Sequence, residues 1–327
     1  NIATAELAAN QVQAFTTGAG YSRITFAAGV TSLQNPASIL SADSEAMLLF
    51  NQNISSTQGQ NLNAIGNGQS YLGANAAISY QAATLGASLA QIAAGKGSVE
   101  TNNLNGVYRL GGGQALTFDL AASTVSALAP DTDIVIGSML TNASGTVVFS
   151  DLISGGTGAV TVVRGSQLTL ATAAAAGGTP MGTGAVDVYG TLVLNGGVAF
   201  NNLANSANAN AVTFHRGALV GLAYSAAGQN KWFDSQAMTL DGSQITMTGV
   251  AAVTNVETIG ALTLSGNAQI QFSSNATGQL ELNATSIVRN AGATLTFTTA
   301  LANQLGVVGN GGSRLVGPLT DGVSAIT

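Results

Sequence analysis

A hydrolytic triad in this chain would have to run through His215, because it is the single histidine among 327 residues. It sits in Phe214-His-Arg-Gly217, beside the start of a predicted strand. A general base needs an orienting carboxylate within hydrogen-bond reach, so His215 reads as a turn or strand-edge histidine rather than a base. Asp131 and Asp133, in Ala129-Pro-Asp-Thr-Asp133, could ligate a hard cation such as calcium. One pair falls short of the roughly six to eight oxygens that calcium takes, so solvated turn acids are the expectation. No Walker-type or dinucleotide glycine fingerprint precedes a credible helix. Trp232 and Phe233, in Asn230-Lys-Trp-Phe-Asp234, could form an exposed anchor for a sugar or a partner protein. The competing expectation is that at least one of the two rings covers the core at a corner of the fold. No catalytic residue, cofactor or metal ligand is assigned, and an enzyme is not expected.

Composition narrows the classes further. Charged residues make up 7% of the chain and apolar ones 46%, with four prolines and a net charge of −6. That much Val, Ile and Leu argues against disorder, and solubility must rest on hydroxyls and amides. Eight Lys and Arg, scattered singly, form no patch that could neutralise phosphates, so nucleic acid is excluded as a partner. There is no cysteine, hence no disulfide or thiolate metal site to lend stability. Mean hydropathy is +0.34. The longest uncharged candidate for a membrane span, Tyr71 to Gly95, carries Asn75, Gln81 and Gln91, so no membrane span is expected within the chain. Asn1 opens no basic or apolar leader, and any signal peptide is expected to have been removed or to lie outside this stretch.

The elements that would carry these residues show themselves as a repeat. A glycine or small polar residue followed by alternating apolar positions recurs in Gly165-Ser-Gln-Leu-Thr-Leu170, Tyr189-Gly-Thr-Leu-Val-Leu194 and Arg216-Gly-Ala-Leu-Val-Gly221. It returns in Gly242-Ser-Gln-Ile-Thr-Met247, Asn267-Ala-Gln-Ile-Gln-Phe272 and Gly292-Ala-Thr-Leu-Thr-Phe297. The first apolar residues, Leu168, Leu192, Leu219, Ile245, Ile270 and Leu295, are spaced by 24, 27, 26, 25 and 25. Leu116 lies 52 residues before Leu168, two periods on. Alternation over four to six positions is the signature of a strand buried on one face. A second alternating set, as in Gly260-Ala-Leu-Thr-Leu264, gives each period at least two strands. A rung of about 25 residues cannot bury its inward face alone; stacked on its neighbours it forms a continuous core. The expected fold is all-β: a right-handed parallel β-helix, with asparagine-rich turns such as Asn201 to Asn208 either forming amide ladders between rungs or lying as solvated loops.

The stretch from Gly155 through Val160-Thr-Val162 to Gly165-Ser-Gln-Leu-Thr-Leu170, followed by Gly177 to Gly196 with its Gly190-Thr-Leu-Val-Leu194, resembles the autotransporter-associated β-strand repeat. That resemblance is strongest over Gly155 to Gly196 and thins to the bare strand pattern elsewhere between Asn105 and Gly317. It implies a passenger region of a large secreted or surface-displayed bacterial protein, serving as stalk, adhesin or matrix fibre. The family carries no catalytic motif.

Both ends follow a common order. Asn10-Gln11 matches Asn303-Gln304, Ser22-Arg23 matches Ser313-Arg314, and Gly29-Val30 matches Gly322-Val323. The chain therefore divides into an end segment at 1–34, irregular rungs or an insertion at 35–104, a regular β-helix at 105–300 and a related end segment at 301–327. A short helix over Asn35 to Phe50 and irregular rungs there are both open readings. Asn10, Arg23, Asn303 and Arg314 are the expected end-to-end contacts. These features predict a structural module of an extracellular or bacterial cell-surface fibre, sheath or matrix, whose partner is itself or adjacent repeats of a longer chain. The alternative is an adhesin passenger that binds glycans or proteins through Trp232 and Phe233.

Overall fold

A computed structural model of the chain describes residues 22–26, 40, 46–65, 68–82, 84–87, 106–118, 128, 132–137, 144–150, 158–171, 184–195, 212–232, 234–275, 277–300, 305–306, 308–309 and 311–321. The chain is a β-solenoid in which strands about 25 residues apart pair in parallel, with no α-helix among the described residues. Parallel neighbours need a long crossover. Here the crossover is the remainder of each rung, which itself supplies a strand to a second sheet. Contacts divide the chain into two units, Asn1–Leu168 and Thr169–Thr327.

In the first unit, Ser22–Thr25, Ala46–Phe50, Tyr71–Ala74, Val107–Gly113, Asp133–Ile136 and Val160–Val162 follow one another in one sheet. Ile78–Tyr80, Leu116–Phe118 and Thr146–Phe149 form the second sheet. Tyr80, Phe118 and Phe149 stack inside it with ring centroids 5.2 and 5.7 Å apart, and all three are buried. The corner between the sheets at Gly111, Gly112 and Gly113 runs at φ of +110°, +106° and +80°. A Cβ on Gly112 would sit 2.2 Å from Met47 Sδ, so left-handed backbone and close packing both demand glycine there. Residues 35–50 contain no described helix: Ala46–Phe50 is a strand with all five side chains buried. Enclosed on both faces, it takes a continuous apolar run, and period-2 alternation disappears from its sequence.

In the second unit, one sheet runs Val186–Val188, Val212–Phe214, Met238–Leu240, Thr254–Leu264, Gln279–Arg289, then Ser313–Val316 and Leu319–Asp321. The other runs Thr191–Leu194, Leu219–Ala223, Gln244–Thr248, Asn267–Ser273 and Thr294–Thr299. Leu194, Leu222, Met247 and Phe272 stack through the core in register and are fully buried.

The register corrects two positions of the repeat. Leu192 pairs with Val220, an offset of 28 (220 − 192), and Leu219 points outward, exposed. Ile270 pairs with Phe297, an offset of 27 (297 − 270), while Leu295 faces Ala268. Turns absorb the extra residues, so rung length varies while the strands stay aligned. Outward positions form uncharged ladders between rungs. Gln244 Nε2 donates to Gln271 Oε1 at 2.8 Å, Thr294 Oγ1 to Asn267 Oδ1 at 3.0 Å, and Asn75 Nδ2 to Asn51 Oδ1 at 2.9 Å. The turn at Asn201 to Asn208 lies outside the described residues.

Candidate functional site

Strand Thr254–Leu264 turns Asn255, Glu257 and Ile259 inward and leaves Thr254 and Val256 exposed. Glu257 is therefore a carboxyl in the core, fully buried. Tyr224 Oη donates to its Oε2 at 2.6 Å, the Lys231 backbone N–H to the same oxygen at 2.9 Å, and the Trp232 N–H to Oε1 at 2.6 Å. These donors belong to the segment that leaves strand Leu219–Ala223 and returns to strand Met238–Leu240, so one carboxyl fastens the whole segment to the stack. Asn255 helps by donating Nδ2 to the Ala226 carbonyl at 2.8 Å. The segment also bonds to itself through Ser225 and Gln229 and through Asn230 and Asp234.

Burial pushes the Glu257 carboxyl up to about 7, against the pull of its three hydrogen bonds. Burial first, then the neighbouring Glu257, raises the Tyr224 hydroxyl. Lys231 is fully buried, its Nζ has no hydrogen-bond partner among the described residues and lies 5.4 Å from the Tyr224 ring centroid. Burial pulls the amine down to about 8, against the attraction of Glu257. Trp232 is fully buried, its ring centroid 5.9 Å from that of Phe214. The indole thus faces the core and is not presented to a ligand; Phe233 lies outside the described residues.

A second cluster is on the surface. Val188 and Phe214 pair in register, which places the residues after them, Tyr189 and His215, on adjacent rungs. Their rings stack 3.9 Å apart at 3°, and His215 Nε2 lies 2.8 Å from Asp187 Oδ1. Partial desolvation, then the Asp187 charge, raises the Tyr189 hydroxyl. Two stacked, parallel rings edged by a carboxylate offer stacking and hydrogen bonds to a polar, flat-faced ligand. Asp133 is directed between rungs, its Oδ1 accepting from Ala159 N–H at 2.7 Å, and Asp131 lies outside the described residues. Among the described residues, no three His, Cys, Asp or Glu side chains gather where they could hold a metal ion.

The third feature is the rung that holds Ser313–Val316. Arg314 Nε is paired with Glu281 Oε2 on the strand beside it, so the guanidinium is engaged within its own unit. Gln279 Oε1 accepts from Gly309 N–H at 2.8 Å in the same corner. Arg23 is aligned with Met47 in the first unit; Asn10 and Asn303 lie outside the described residues.

The fold and these clusters define a parallel β-solenoid whose polar groups are used mostly to join rung to rung. No protein-family model, curated protein or solved structure matches the chain. No described helix is long and apolar enough to cross a membrane.

Proposed function

We propose that this chain is a structural module of an extracellular or cell-surface fibre, sheath or matrix, working through association with itself or with adjacent repeats. The observation that carries the reading is the use of side chains: inward positions fill a mostly apolar core in each unit, and outward Gln, Thr and Asn bond to the next rung. Such a body is a scaffold first. The likeness of Gly155 to Gly196 to autotransporter passenger repeats supports a bacterial surface location. Catalysis, a cofactor and nucleic acid have no part in this reading. Antibody against the chain, applied to intact and to opened cells of its source, is expected to decorate extended structures outside intact cells. Labelling only after the cells are opened would reject the assignment.

The adhesin alternative rests on a different observation, the Tyr189 and His215 platform beside Asp187. Under it, a glycan panel binds the chain, and His215→Ala with Tyr189→Ala removes that binding without changing the fold's circular dichroism.

A further inference from the structure

A lysine, an asparagine and a glutamate meet inside the second unit, in a chain where charged residues are 7% of the total. Lys231, Asn255 and Glu257 are each at most 1% exposed. Two of their polar atoms, Lys231 Nζ and Asn255 Oδ1, are buried with no hydrogen-bond partner among the described residues. Leaving a buried amine and a buried carbonyl unpaired costs free energy, and packing alone does not favour it.

The register brings the three groups to one place. Gly260 N–H donates to the Gln236 carbonyl and Leu240 pairs with Leu264, offsets of 24 (260 − 236, 264 − 240). The same offset sets Lys231 on the rung beside Asn255 (255 − 231). Asn255 and Glu257 stand two apart on the inward face of one strand, about 7 Å along it. Glu257 holds the Lys231 backbone N–H. From there the flexible four-carbon stem of the lysine runs to Tyr224, whose ring centroid is 5.4 Å from Nζ. The Asn255 carboxamide reaches the same stretch, Nδ2 donating to the Ala226 carbonyl at 2.8 Å. Tyr224, Trp232 and Phe214, all buried, wall this corner with rings.

We propose that Lys231 and Asn255 react with each other to form an amide bond between their side chains. Lys231 Nζ, as the free amine, attacks Asn255 Cγ. The Nζ–Cγ bond forms, the Cγ–Nδ2 bond breaks, and Nδ2 leaves as ammonia. Glu257, protonated, gives its proton to Asn255 Oδ1, which has no hydrogen bond to surrender, and regains one from Nζ as the intermediate collapses. Nothing is oxidised or reduced, and no co-reactant is needed.

Burial favours the uncharged forms that the step requires. With the carboxyl near 7 and the amine near 8, about one folded chain in twenty holds both groups neutral at about pH 7.5, against about one in a million at the ordinary values of 4.5 and 10.5. The bond closes a loop of 25 residues (255 − 231 + 1) and ties one rung to the next covalently. It also consumes the amine, so titration of Lys231 is a property of the open chain, and Asn255→Ala keeps the chain open.

The mass of the intact, unaltered chain is expected to fall short of the sequence mass by one ammonia, a measurement that needs no variant to fold. Trypsin cuts after free lysine but not after an acylated one. It is therefore expected to leave residues 217–289, between Arg216 and Arg289, as one looped peptide lighter by one ammonia. Asn255→Ala is expected to have its full sequence mass and to be cut after Lys231. Glu257→Gln is expected to remain largely unlinked, and complete linkage in it overturns the role given to Glu257. An unaltered chain of full sequence mass overturns the inference. So does a chain that lacks one ammonia yet is cut after Lys231, which would place the loss at another residue. The bond does not depend on where the chain resides, so labelling of cells tests the fibre reading separately.

Discussion

In the open chain, where Lys231 is not joined to Asn255, Glu257 and Lys231 are two ionisable side chains held in a largely apolar core, and their burial ties stability to pH in opposite directions. The Glu257 carboxyl releases its proton near 4.5 in the unfolded chain and near 7 in the folded one. Between those values the folded form holds the additional proton, so stability falls as pH rises through this window. At about 1.4 kcal/mol per pKa unit, the fall totals roughly 3 kcal/mol. The Lys231 amine gives up its proton near 8 when folded and near 10.5 when unfolded. Through that upper window the unfolded form holds the additional proton, and stability rises with pH. Urea unfolding of the open chain across pH 4.5 to 10.5 is expected to trace a shallow minimum between about 7 and 8, and Glu257→Gln is expected to flatten the lower limb alone. A lower limb that persists in the variant would assign it to another carboxyl. This site was not legible in the sequence. In Asn255-Val-Glu-Thr-Ile259 the hydrophobic pattern points Val256 inward and Glu257 outward, and the structure has them reversed. What turns the glutamate in is the segment carrying Tyr224, Lys231 and Trp232, and no local spacing records that segment's docking. The stacked pair Tyr189 and His215 was hidden for a related reason, since 26 residues (215 − 189) separate rings that the register places in contact.

A rung is held by its inward side chains and by the turns that let the next rung lie above it. Phe118 stands between Tyr80 and Phe149 in the aromatic stack and is fully buried. Phe118→Ala removes the ring from both contacts and leaves a cavity that two flanking strands fixed by main-chain hydrogen bonds cannot close. The expected loss is about 3 to 5 kcal/mol by chemical denaturation, against less than about 1.5 kcal/mol for Phe118→Leu if the site repacks. Equal losses for the two would mean that ring contacts, rather than filled volume, hold the rung. At the corner, Gly112→Ala forces a left-handed backbone and a Cβ into Met47, and a large loss is expected there too. The strands between Leu168 and Phe297 could be read from alternation because each has one face in the core and one in solvent. Their alignment could be read only to within a residue or two, since a period averages over turns of unequal length. That average placed Leu219 inward and matched Leu295 to Ile270, whereas pairing chose Val220 and Phe297. Ala46–Phe50 was ambiguous for the opposite reason: buried throughout, it has no alternation to read.

Taken over the whole molecule, eight basic and fourteen acidic residues in 327 leave charge little part in cohesion. Two of the ion pairs among the described residues, Asp187 with His215 and Arg314 with Glu281, are each partly exposed, and such pairs contribute about 0 to 1 kcal/mol. Cohesion therefore comes from apolar burial, from the parallel main-chain ladder and from amide and hydroxyl ladders, none of which salt screens. Raising sodium chloride from about 0.01 to 0.5 M shortens the Debye length from about 30 Å to a few ångströms. The thermal midpoint is nevertheless expected to move by less than about 4 °C, the shift that roughly 1 kcal/mol produces in a domain of about 150 residues or more. Sodium sulfate at equal ionic strength is expected to raise the midpoint instead, because an ion excluded from apolar surface strengthens burial. A steep fall in chloride would locate the cohesion in charge pairs and contradict the ladder account. The same neutrality bears on assembly: with little net repulsion between copies, the proposed self-association needs no counter-charge and is expected to tolerate salt as well.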